Sequence, residues 1–418
     1  LCTVWRMIMA NVSVLEVLLY GEAIGTLTRV EGDRSLFAFN EEYIADENRP
    51  VLGLGFKDEF GELLTEFRPY QAQVMPFFSN LLPEERLRDY LAERAGVNPE
   101  REFFLLWVLG RDLPGAVTVR PAGGEEWPPQ AGEPLDDDAK VSRDEKALRF
   151  SLAGVQLKFS AVLGASGGLT IPAKGVGGSW IIKLPSEKYD GMPENEFSMM
   201  TLARKIGMNV PALELVDIAD IGGLPKDVAA MERRALAIER FDRLSDGSSV
   251  HIEDFAQIFG IYPKDKYKKA SMFNIASVIA TESDDADIRE FVQRLVFNTL
   301  IGNADMHIKN WSVYYPDRRT ARLAPAYDFV STVAYLPDSQ AALAVGRFKR
   351  FDQFDEDELG YLADRVGLAK ALVLDSARET VALFHQHWEA EKNNLPLYPN
   401  VAGMIDSHLA SVPLASVS

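Results

Sequence analysis

The sequence contains few residues that bind metals or form disulfides: one cysteine, Cys2, and five histidines in 418 residues. One cysteine excludes a disulfide within the chain and a cysteine-rich metal site, and it favours a reducing, cytoplasmic setting. The only close histidines, His385 and His387, are two positions apart on a predicted helix, where side chains do not face each other. We therefore expect no zinc site.

Positive charge and long apolar runs are also scarce. The net charge of −18 argues against a surface that coats nucleic acid or docks on an anionic membrane. No run of about 18 apolar residues occurs, so no membrane span is predicted. The apolar start is interrupted by Arg6, Asn11 and Glu16 and lacks the features of a secretory signal. Met9 is a candidate for the natural first residue, with residues 1–8 as an extension.

The first part of the chain has the pattern of a small α/β domain, which we assign to residues 9–120. Apolar alternation predicts a hairpin over 12–27 and strands over 35–40 and 116–120. A helical pattern covers 75–95, with Pro83 suited to a helix start. Residues 121–140 are rich in Pro, Gly and acids and are predicted to be an exposed connection.

The rest of the chain divides by its periodicity. Residues 141–245 alternate as strands around one helix, which ends near Gly207 and Pro211. Residues 246–418 are mainly helical in pattern, with Ile288, Phe291 and Leu295 on one stripe. The prediction is a β-rich lobe followed by a helical lobe.

One loop carries residues suited to phosphoryl transfer. That reaction needs a carboxylate at the attacking hydroxyl, magnesium ligands and a cation on the phosphates. Asp305 and Asn310 have the five-residue spacing of a kinase catalytic loop and precede a predicted strand at 311–315, and Asp328 follows a second predicted strand. Oxygen ligands from Asn310 and Asp328 suit magnesium. The alternative is a polar loop in which Asp305 and Asn310 are ordinary caps and Asp328 is a turn residue.

Lys183 lies inside an apolar strand, where an unpaired ammonium is costly to bury. It is either a solvent-facing strand residue or a lysine that binds nucleotide phosphates. The next helix offers Glu194 and Glu196 as partners, and Glu196 shares the inward stripe of Met199. For His307 a structural role, or one near the phosphates, is more consistent with the sequence than metal binding.

Two further segments give weaker signals. Residues 151–160 contain only Gly154 and no GxGxxG, so by spacing they predict a plain strand–turn–strand, with Ser151 as an ordinary polar residue. Residues 262–269 (YPKDKYKK) carry four lysines near two tyrosines. Such a run is usually a solvated face, but here it is the best local candidate for an anionic contact.

Together these motifs resemble the HipA family of bacterial serine/threonine kinases, the toxin halves of HipA–HipB toxin–antitoxin pairs. The resemblance covers nearly the whole chain and implies an α+β, two-lobed protein-kinase-like fold with an extra N-terminal subdomain and an all-helical C-terminal lobe. The matching segments are PFFSNLLPEERL at 76–87, SLAGVQLKFS at 151–160, IIKLP at 181–185, ENEFSMMTLARKIGMNVP at 194–211, IERFDR at 238–243, GNADMHIKN at 302–310 and APAYDFVST at 324–332.

The resemblance implies a role for each site residue. Asp305 is the catalytic base, Asn310 and Asp328 hold Mg²⁺, Lys183 contacts ATP and pairs with Glu196, and Ser151 is the inactivating autophosphorylation site. The implied nucleotide-binding residues are Ala153, Gly154, Val155, Gln156, Leu157 and Lys158 in a loop over the phosphates, Glu239, Arg240 and Phe241 in the hinge, and Lys183, His307, Ile308, Lys309, Asn310 and Tyr327. Met306 and Leu157 depart from the family pattern without removing a catalytic group.

The resemblance also implies partners: a HipB-like helix-turn-helix antitoxin, operator DNA contacted mainly through it, and a protein substrate such as an aminoacyl-tRNA synthetase. Two other functions stay open from the residues. One is a catalytically silent subunit that acts only in a repressor complex. The other is a small-molecule kinase with the same two-lobed site.

Overall fold

The computed structural model describes residues 13–84, 87–89, 91–92, 96–123, 158–163, 169–170, 178–186, 188–224, 226–336 and 340–417. Within these ranges the chain forms three antiparallel sheets and a set of helices. In the described residues, no helix combines the length and the apolarity that crossing a membrane requires.

The first sheet has five strands in the order β4-β3-β2-β1-β5. The strands are β1 (Val14–Leu19), β2 (Glu22–Val30), β3 (Arg34–Phe39), β4 (Tyr70–Gln71) and β5 (Val117–Pro121). A two-residue turn joins β1 to β2, and Tyr20 and Gly21 both have positive φ, 54° and 84°. Such turns match the twist of paired strands. The predicted hairpin is confirmed.

Three short helices cover this sheet: α1 (Glu41–Ala45), α2 (Pro76–Ser79) and α3 (Glu102–Leu109). They bury an aromatic core that includes Phe37, Phe78 and Trp107. The helix predicted over 75–95 is interrupted: residues 76–79, 87–89 and 91–92 are helical, whereas 80–84 are not. Pro83 lies in this break. Its ring nitrogen carries no N–H that could continue a helix.

The second sheet has the order β7-β6-β8-β10-β9. Its strands are β6 (Lys158–Leu163), β7 (Leu169–Thr170), β8 (Trp180–Lys183), β9 (Leu213–Asp217) and β10 (Arg234–Glu239). Helix α4 (Met192–Lys205) follows β8 and buries Glu196, Met199 and Met200, as its stripe predicts. A one-turn helix α5 (Lys226–Ala229) precedes β10.

The remaining helices build the largest hydrophobic core of the described residues. Phe297 and Phe384 join two of them with ring centroids 5.7 Å apart. These helices are α6 (Phe255–Ile258), α7 (Met272–Glu282), α8 (Asp285–Leu300), α9 (Glu356–Val366), α10 (Lys370–Glu391) and α11 (Pro399–Leu409).

One detail of the predicted C-terminal lobe is wrong: it is not all-helical. A third sheet joins β11 (His251–Asp254), β12 (Ser312–Tyr315) and β13 (Arg322–Leu323) in that order. Strand β11 alternates buried and half-buried residues, which is the pattern of a strand with one face in a core.

The first sheet and its helices pack directly on this lobe through buried polar contacts. The N–H of Leu54 donates to Glu253 Oε1 at 2.8 Å. His251 accepts from the Ala116 N–H at Nδ1 (3.4 Å), so its Nε2–H donates to the Leu52 carbonyl at 2.7 Å. Burial lowers the pKa of His251 to about 4, which keeps the ring neutral. The N-terminal region is therefore part of the same packed unit.

Candidate functional site

The loop that carries Asp305 begins where α8 ends. Gly302 has φ +65°, a conformation that favours glycine and turns the chain out of the helix. The Ala304 N–H then donates to Thr332 Oγ1 at 2.7 Å, and Asn303 Nδ2 donates to Asn298 Oδ1 at 2.8 Å. A 3₁₀ turn at Ile308–Asn310 leads into β12. The start of the loop is thus fixed by hydrogen bonds, and its end continues into a strand that pairs with β11.

Asp305 has an exposed side chain. Its Oδ1 accepts a hydrogen bond from the hydroxyl of Tyr267 at 2.6 Å. Its carbonyl accepts from Asn310 Nδ2 at 2.8 Å, so the two residues of the five-residue spacing are joined across the loop. An exposed carboxylate on a fixed loop can accept a proton from an incoming hydroxyl.

Lys183 is buried, with 3% of its surface exposed. The solvent-facing alternative is therefore wrong. Its ammonium donates to both Glu196 and Asp328, whereas Glu194 pairs with Arg234 at 3.2 Å. Burial alone would lower the pKa of Lys183, but the carboxylates of Asp328 and Glu196 outweigh burial and raise it. The charged ammonium is thus stabilised between two lobes.

Asp328 has a strained backbone for a residue other than glycine, with φ +59°. Its carbonyl accepts from Asn303 Nδ2 at 3.4 Å, and the next residue, Phe329, packs on Phe297 at 5.4 Å. Such strain persists where surrounding contacts over-determine the conformation. The second strand predicted before Asp328 is only the two-residue β13, and residues 324–331 are irregular.

The predicted hinge brings two aromatic residues together. The rings of Phe241 and Tyr327 stack with centroids 6.1 Å apart and an interplanar angle of 26°. The Tyr327 hydroxyl donates to the Lys309 carbonyl at 3.0 Å, and burial raises the pKa of Tyr327. Glu239 is exposed at the end of β10.

Arg240 differs from Glu239 because its charged side chain is buried and ion-paired. Its guanidinium forms two hydrogen bonds with Asp242, at 2.9 and 2.8 Å. The backbone N–H of Arg240 donates to the Ser179 carbonyl at 2.7 Å. Arg240 therefore links the hinge to buried charges.

The middle of the loop is buried. Ile308 is fully enclosed in the hydrophobic core. Burial lowers the pKa of His307 to about 4, and no hydrogen-bond partner for His307 Nδ1 exists among the described residues. The His307 ring packs edge-on against Tyr267 at 5.0 Å. A neutral, buried imidazole that packs on Tyr267 is consistent with the structural role that the sequence favours for His307.

Lys309 makes ion pairs rather than facing solvent. Its ammonium lies 2.9 Å from Asp254 Oδ2 and 3.4 Å from Glu84 Oε1, and it donates to Asn80 Oδ1 at 2.9 Å. Burial would lower the pKa of Lys309, but Asp254 and Glu84 outweigh burial and raise it. Asn80 and Glu84 belong to the N-terminal region, so this region contacts the loop directly.

Part of the predicted site lies outside the described residues: Ser151, Ala153, Gly154, Val155, Gln156 and Leu157. The backbone of Lys158 begins β6 and lies directly opposite Lys183 in the sheet. The phosphate-covering loop would therefore lead into the strand beside Lys183.

Sequence reasoning missed three residues of this site: Tyr267, Asp254 and Glu84. Tyr267 lies within the basic run 262–269, which the sequence marked as a contact segment. Asp254 caps α6 by accepting from the Gln257 N–H, so its local sequence signal is that of an ordinary helix cap. Glu84 gives no signal, because its partners are far away in sequence.

The metal ligands that the sequence predicts at this site are oxygen donors. Among the described residues no cluster of three or more His, Cys, Asp or Glu side chains could hold a metal ion. Asn310 and Asp328 supply hard oxygen donors, and magnesium takes its other ligands from phosphates and water. These two residues fit a nucleotide-bound ion.

Comparison with known proteins identifies the family. A sequence profile of the HipA-like C-terminal domain matches residues 150–388, and one of the HipA N-terminal domain matches residues 15–120. The chain belongs to the HipA family. It is 56% identical over 409 residues to the "Putative kinase Y4dM" of Sinorhizobium fredii, which covers 97% of this chain and 98% of that protein.

A HipA relative from Shewanella oneidensis supports both family and fold. The protein named serine/threonine-protein kinase toxin HipA is 30% identical over 342 residues, covering 73% of this chain and 74% of the relative. A solved complex of the toxin–antitoxin system HipA, HipB and operator DNA from that organism matches with a TM-score of 0.72 and 25% identity over 96% of each chain. The fold is the predicted α+β, two-lobed kinase-like fold.

Proposed function

We propose that this HipA-family protein is an ATP-dependent serine/threonine protein kinase of the toxin type. The observation that carries the proposal is the position of the Lys183 ammonium between Glu196 and Asp328. Kinases use such a lysine–glutamate pair with a metal-binding aspartate to hold nucleotide phosphates. Asp305 and Asn310, which are joined by a hydrogen bond, would supply the carboxylate at the substrate hydroxyl and a magnesium ligand.

In the proposed reaction, Asp305 accepts the proton of a substrate hydroxyl at its carboxylate. The hydroxyl oxygen then bonds to the γ-phosphorus of ATP, and the bond to the bridging oxygen breaks, which releases ADP. Lys183 holds the phosphates as a fixed cation. Magnesium, when held by Asn310 and Asp328, would neutralise the negative charge of the phosphates.

The nucleotide site is assigned by analogy with the family. Glu239, Arg240 and Phe241 would form the hinge at adenine, with the stacked pair of Phe241 and Tyr327 as an apolar wall. Residues 153–158 would cover the phosphates, and 307–310 would line the site mainly through their backbone, because Ile308 is enclosed and Lys309 is ion-paired.

Regulation and partners form the second part of the proposal. Autophosphorylation at Ser151 would switch the kinase off, because a phosphate of nearly two negative charges would disturb a phosphate-binding loop. The solved relative was captured with HipB and operator DNA. We infer a HipB-like helix-turn-helix antitoxin here, with operator DNA contacted mainly through that antitoxin and a protein substrate such as an aminoacyl-tRNA synthetase. The cytoplasmic setting stays a prediction.

Labelled ATP with magnesium tests the proposed reaction. We expect phosphate on Ser151 or on an added protein substrate, and Asp305→Asn to lower the rate about 10²- to 10⁴-fold, as for loss of a general base. Nucleotide binding should survive in this variant. Asp364→Asn, which changes an exposed residue of α9, serves as the control and should keep full activity.

Two results would contradict the proposal. Absence of both phosphate incorporation and nucleotide binding would favour a silent subunit of a repressor complex. Labelling of a small metabolite, with proteins left unlabelled, would favour a small-molecule kinase.

A further inference from the structure

Glu84 lies between Lys309, which belongs to the 302–310 loop, and Lys266, which belongs to the segment 262–269 beside that loop. Its Oε2 accepts from Lys266 Nζ at 2.8 Å, and its Oε1 lies 3.4 Å from Lys309 Nζ. The side chain is 27% exposed. Burial would raise the pKa of Glu84, but Lys309 and Lys266 outweigh burial and lower it to about 2. Glu84 is therefore a carboxylate at every physiological pH.

Each of these lysines is close to Asp305, either in the chain or through one hydrogen-bonded neighbour. Lys309 is four residues after Asp305 in the same loop, and its ammonium also donates to Asn80. Lys266 directly precedes Tyr267, whose hydroxyl donates to Asp305 Oδ1. The two contacts of Glu84 thus hold the segment that gives Asp305 its hydrogen-bond donor and the loop that carries Asp305 itself.

A second contact fixes the segment around Tyr267 to the same N-terminal region. The hydroxyl of Tyr262 donates to the Val74 carbonyl at 3.0 Å. The ring of Tyr267 also packs on His307, inside the loop. The N-terminal region therefore contacts the segment 262–267, that segment contacts the loop, and the loop contacts the N-terminal region again through Lys309.

We propose that Glu84 is a positioning residue for the kinase reaction. By binding Lys266 and Lys309 together, it fixes the 302–310 loop and the Tyr267–Asp305 hydrogen bond in the arrangement that accepts the substrate proton. This inference rests on the proposed function, and it gives the N-terminal region a positioning role in catalysis. A misplacement of about 1 Å at a reacting group can lower a rate about 10²-fold.

The test compares two isosteric variants of the full chain, Glu84→Gln and Glu282→Gln. Glu282 is a matched control because it also pairs with the N-terminal region, at 2.9 Å from Lys57 and with 29% of each side chain exposed, but it lies in α7, outside the 302–310 loop. Hydrogen exchange read by mass spectrometry reports on the loop without any activity. We expect faster exchange of the amides in 303–310 in Glu84→Gln alone.

Kinetics then separate positioning from folding. Glu84→Gln should lower kcat about tenfold or more while KM for ATP changes less than about threefold, because Lys183, the proposed phosphate-binding cation, keeps its partners Glu196 and Asp328. Glu282→Gln should keep both constants. Glu84→Asp, which keeps the charge, should recover part of kcat. Tyr267→Phe should lower kcat, and its effect should be less than additive with that of Glu84→Gln.

Equal exchange rates in wild type and Glu84→Gln would overturn the inference, whatever the activity. An active wild type with unchanged kcat in Glu84→Gln would also overturn it and leave the proposed function standing. An inactive wild type whose loop is loosened by Glu84→Gln would overturn the catalytic part and count against the proposed function instead.

Discussion

The ammonium of Lys183 donates to the carboxylate of Asp328, 145 residues further along the chain. The same ammonium donates to Glu196, which is fully buried. Three charged groups from a strand, a helix and a loop therefore depend on one another, and the cost of removing the cation can be anticipated.

Lys183→Met should destabilise the protein strongly. The substitution leaves two carboxylates facing each other in a buried site, and breaking a buried ion pair typically costs about 3–5 kcal/mol. Urea unfolding should register this loss. Lys57→Met removes the half-buried pair with Glu282 and should cost less than about 1 kcal/mol. Equal effects of the two variants would argue against the buried network as a source of stability.

Gly302→Ala should destabilise the start of the 302–310 loop. A Cβ at residue 302 would lie 2.4 Å from Val333 Cγ1, and φ is +65°. The left-handed conformation costs about 1–2 kcal/mol with a side chain, and overpacking adds about 1–3 kcal/mol. The melting temperature should fall by an amount that reflects both the backbone strain and the overpacking.

Gly207 separates these two costs. Its φ is +95°, but an added Cβ would meet nothing within 4 Å. Gly207→Ala should therefore lower the melting temperature less than Gly302→Ala, and Gly302→Ala with Val333→Ala should recover only the overpacking part. A double variant no more stable than Gly302→Ala would locate the cost elsewhere.

Glu253 should make stability depend on pH. Burial raises the pKa of Glu253 to about 8, against hydrogen bonds from Tyr315 and Leu54 that lower it. The folded state then holds a proton that the unfolded state releases near its ordinary pKa, so stability falls as pH rises from about 4.5 to about 8. Glu253→Gln should reduce this slope in melting temperatures measured from pH 5 to 9.

Glu389→Gln is the control for that series because Glu389 is mostly exposed. It should leave the slope unchanged. A Glu253→Gln protein with the wild-type slope would mean that Glu253 is already ionised when folded.

Asp242→Asn should weaken the contact between the hinge and the N-terminal region. Asp242 accepts from Arg240, from Arg243 at 2.8 Å and from the Gly115 N–H at 2.9 Å. Its loss leaves two guanidinium groups to share Asp112. We expect a loss of about 3 kcal/mol or more in urea unfolding, as for other buried pairs. Asp352→Asn, in the exposed pair with Arg350, should have no measurable effect.

Local signals carried much of what could be predicted. The stripe of Glu196 and Met199 predicts which face of the helix is buried, and the spacing of Asp305 and Asn310 anticipates residues that the structure joins. The kinase-like fold followed from the family resemblance. The roles of these residues in catalysis stay predictions.

Contacts between residues far apart in the chain could not be predicted from the sequence. The Lys266–Glu84 bond spans 182 positions, and Lys309 donates to Asn80 across 229. Such pairs leave no periodic pattern, because each member looks like an ordinary surface charge in its own segment. The third sheet was predicted only in part: strands were expected at 311–315 and before Asp328, whereas the four-residue strand β11 was too short to be recognised in a region of mainly helical pattern.

The buried contacts of the first sheet have a practical consequence for constructing shorter proteins. Arg243 donates to the carbonyls of Leu113 and Gly115, both at 2.8 Å, and Glu253 accepts from Leu54. A fragment that starts at residue 141 would strip these groups of their partners and uncover the apolar surface beneath them. We therefore expect the region matched by the C-terminal profile to be less stable without the N-terminal region, and the two profile regions to unfold as one cooperative unit.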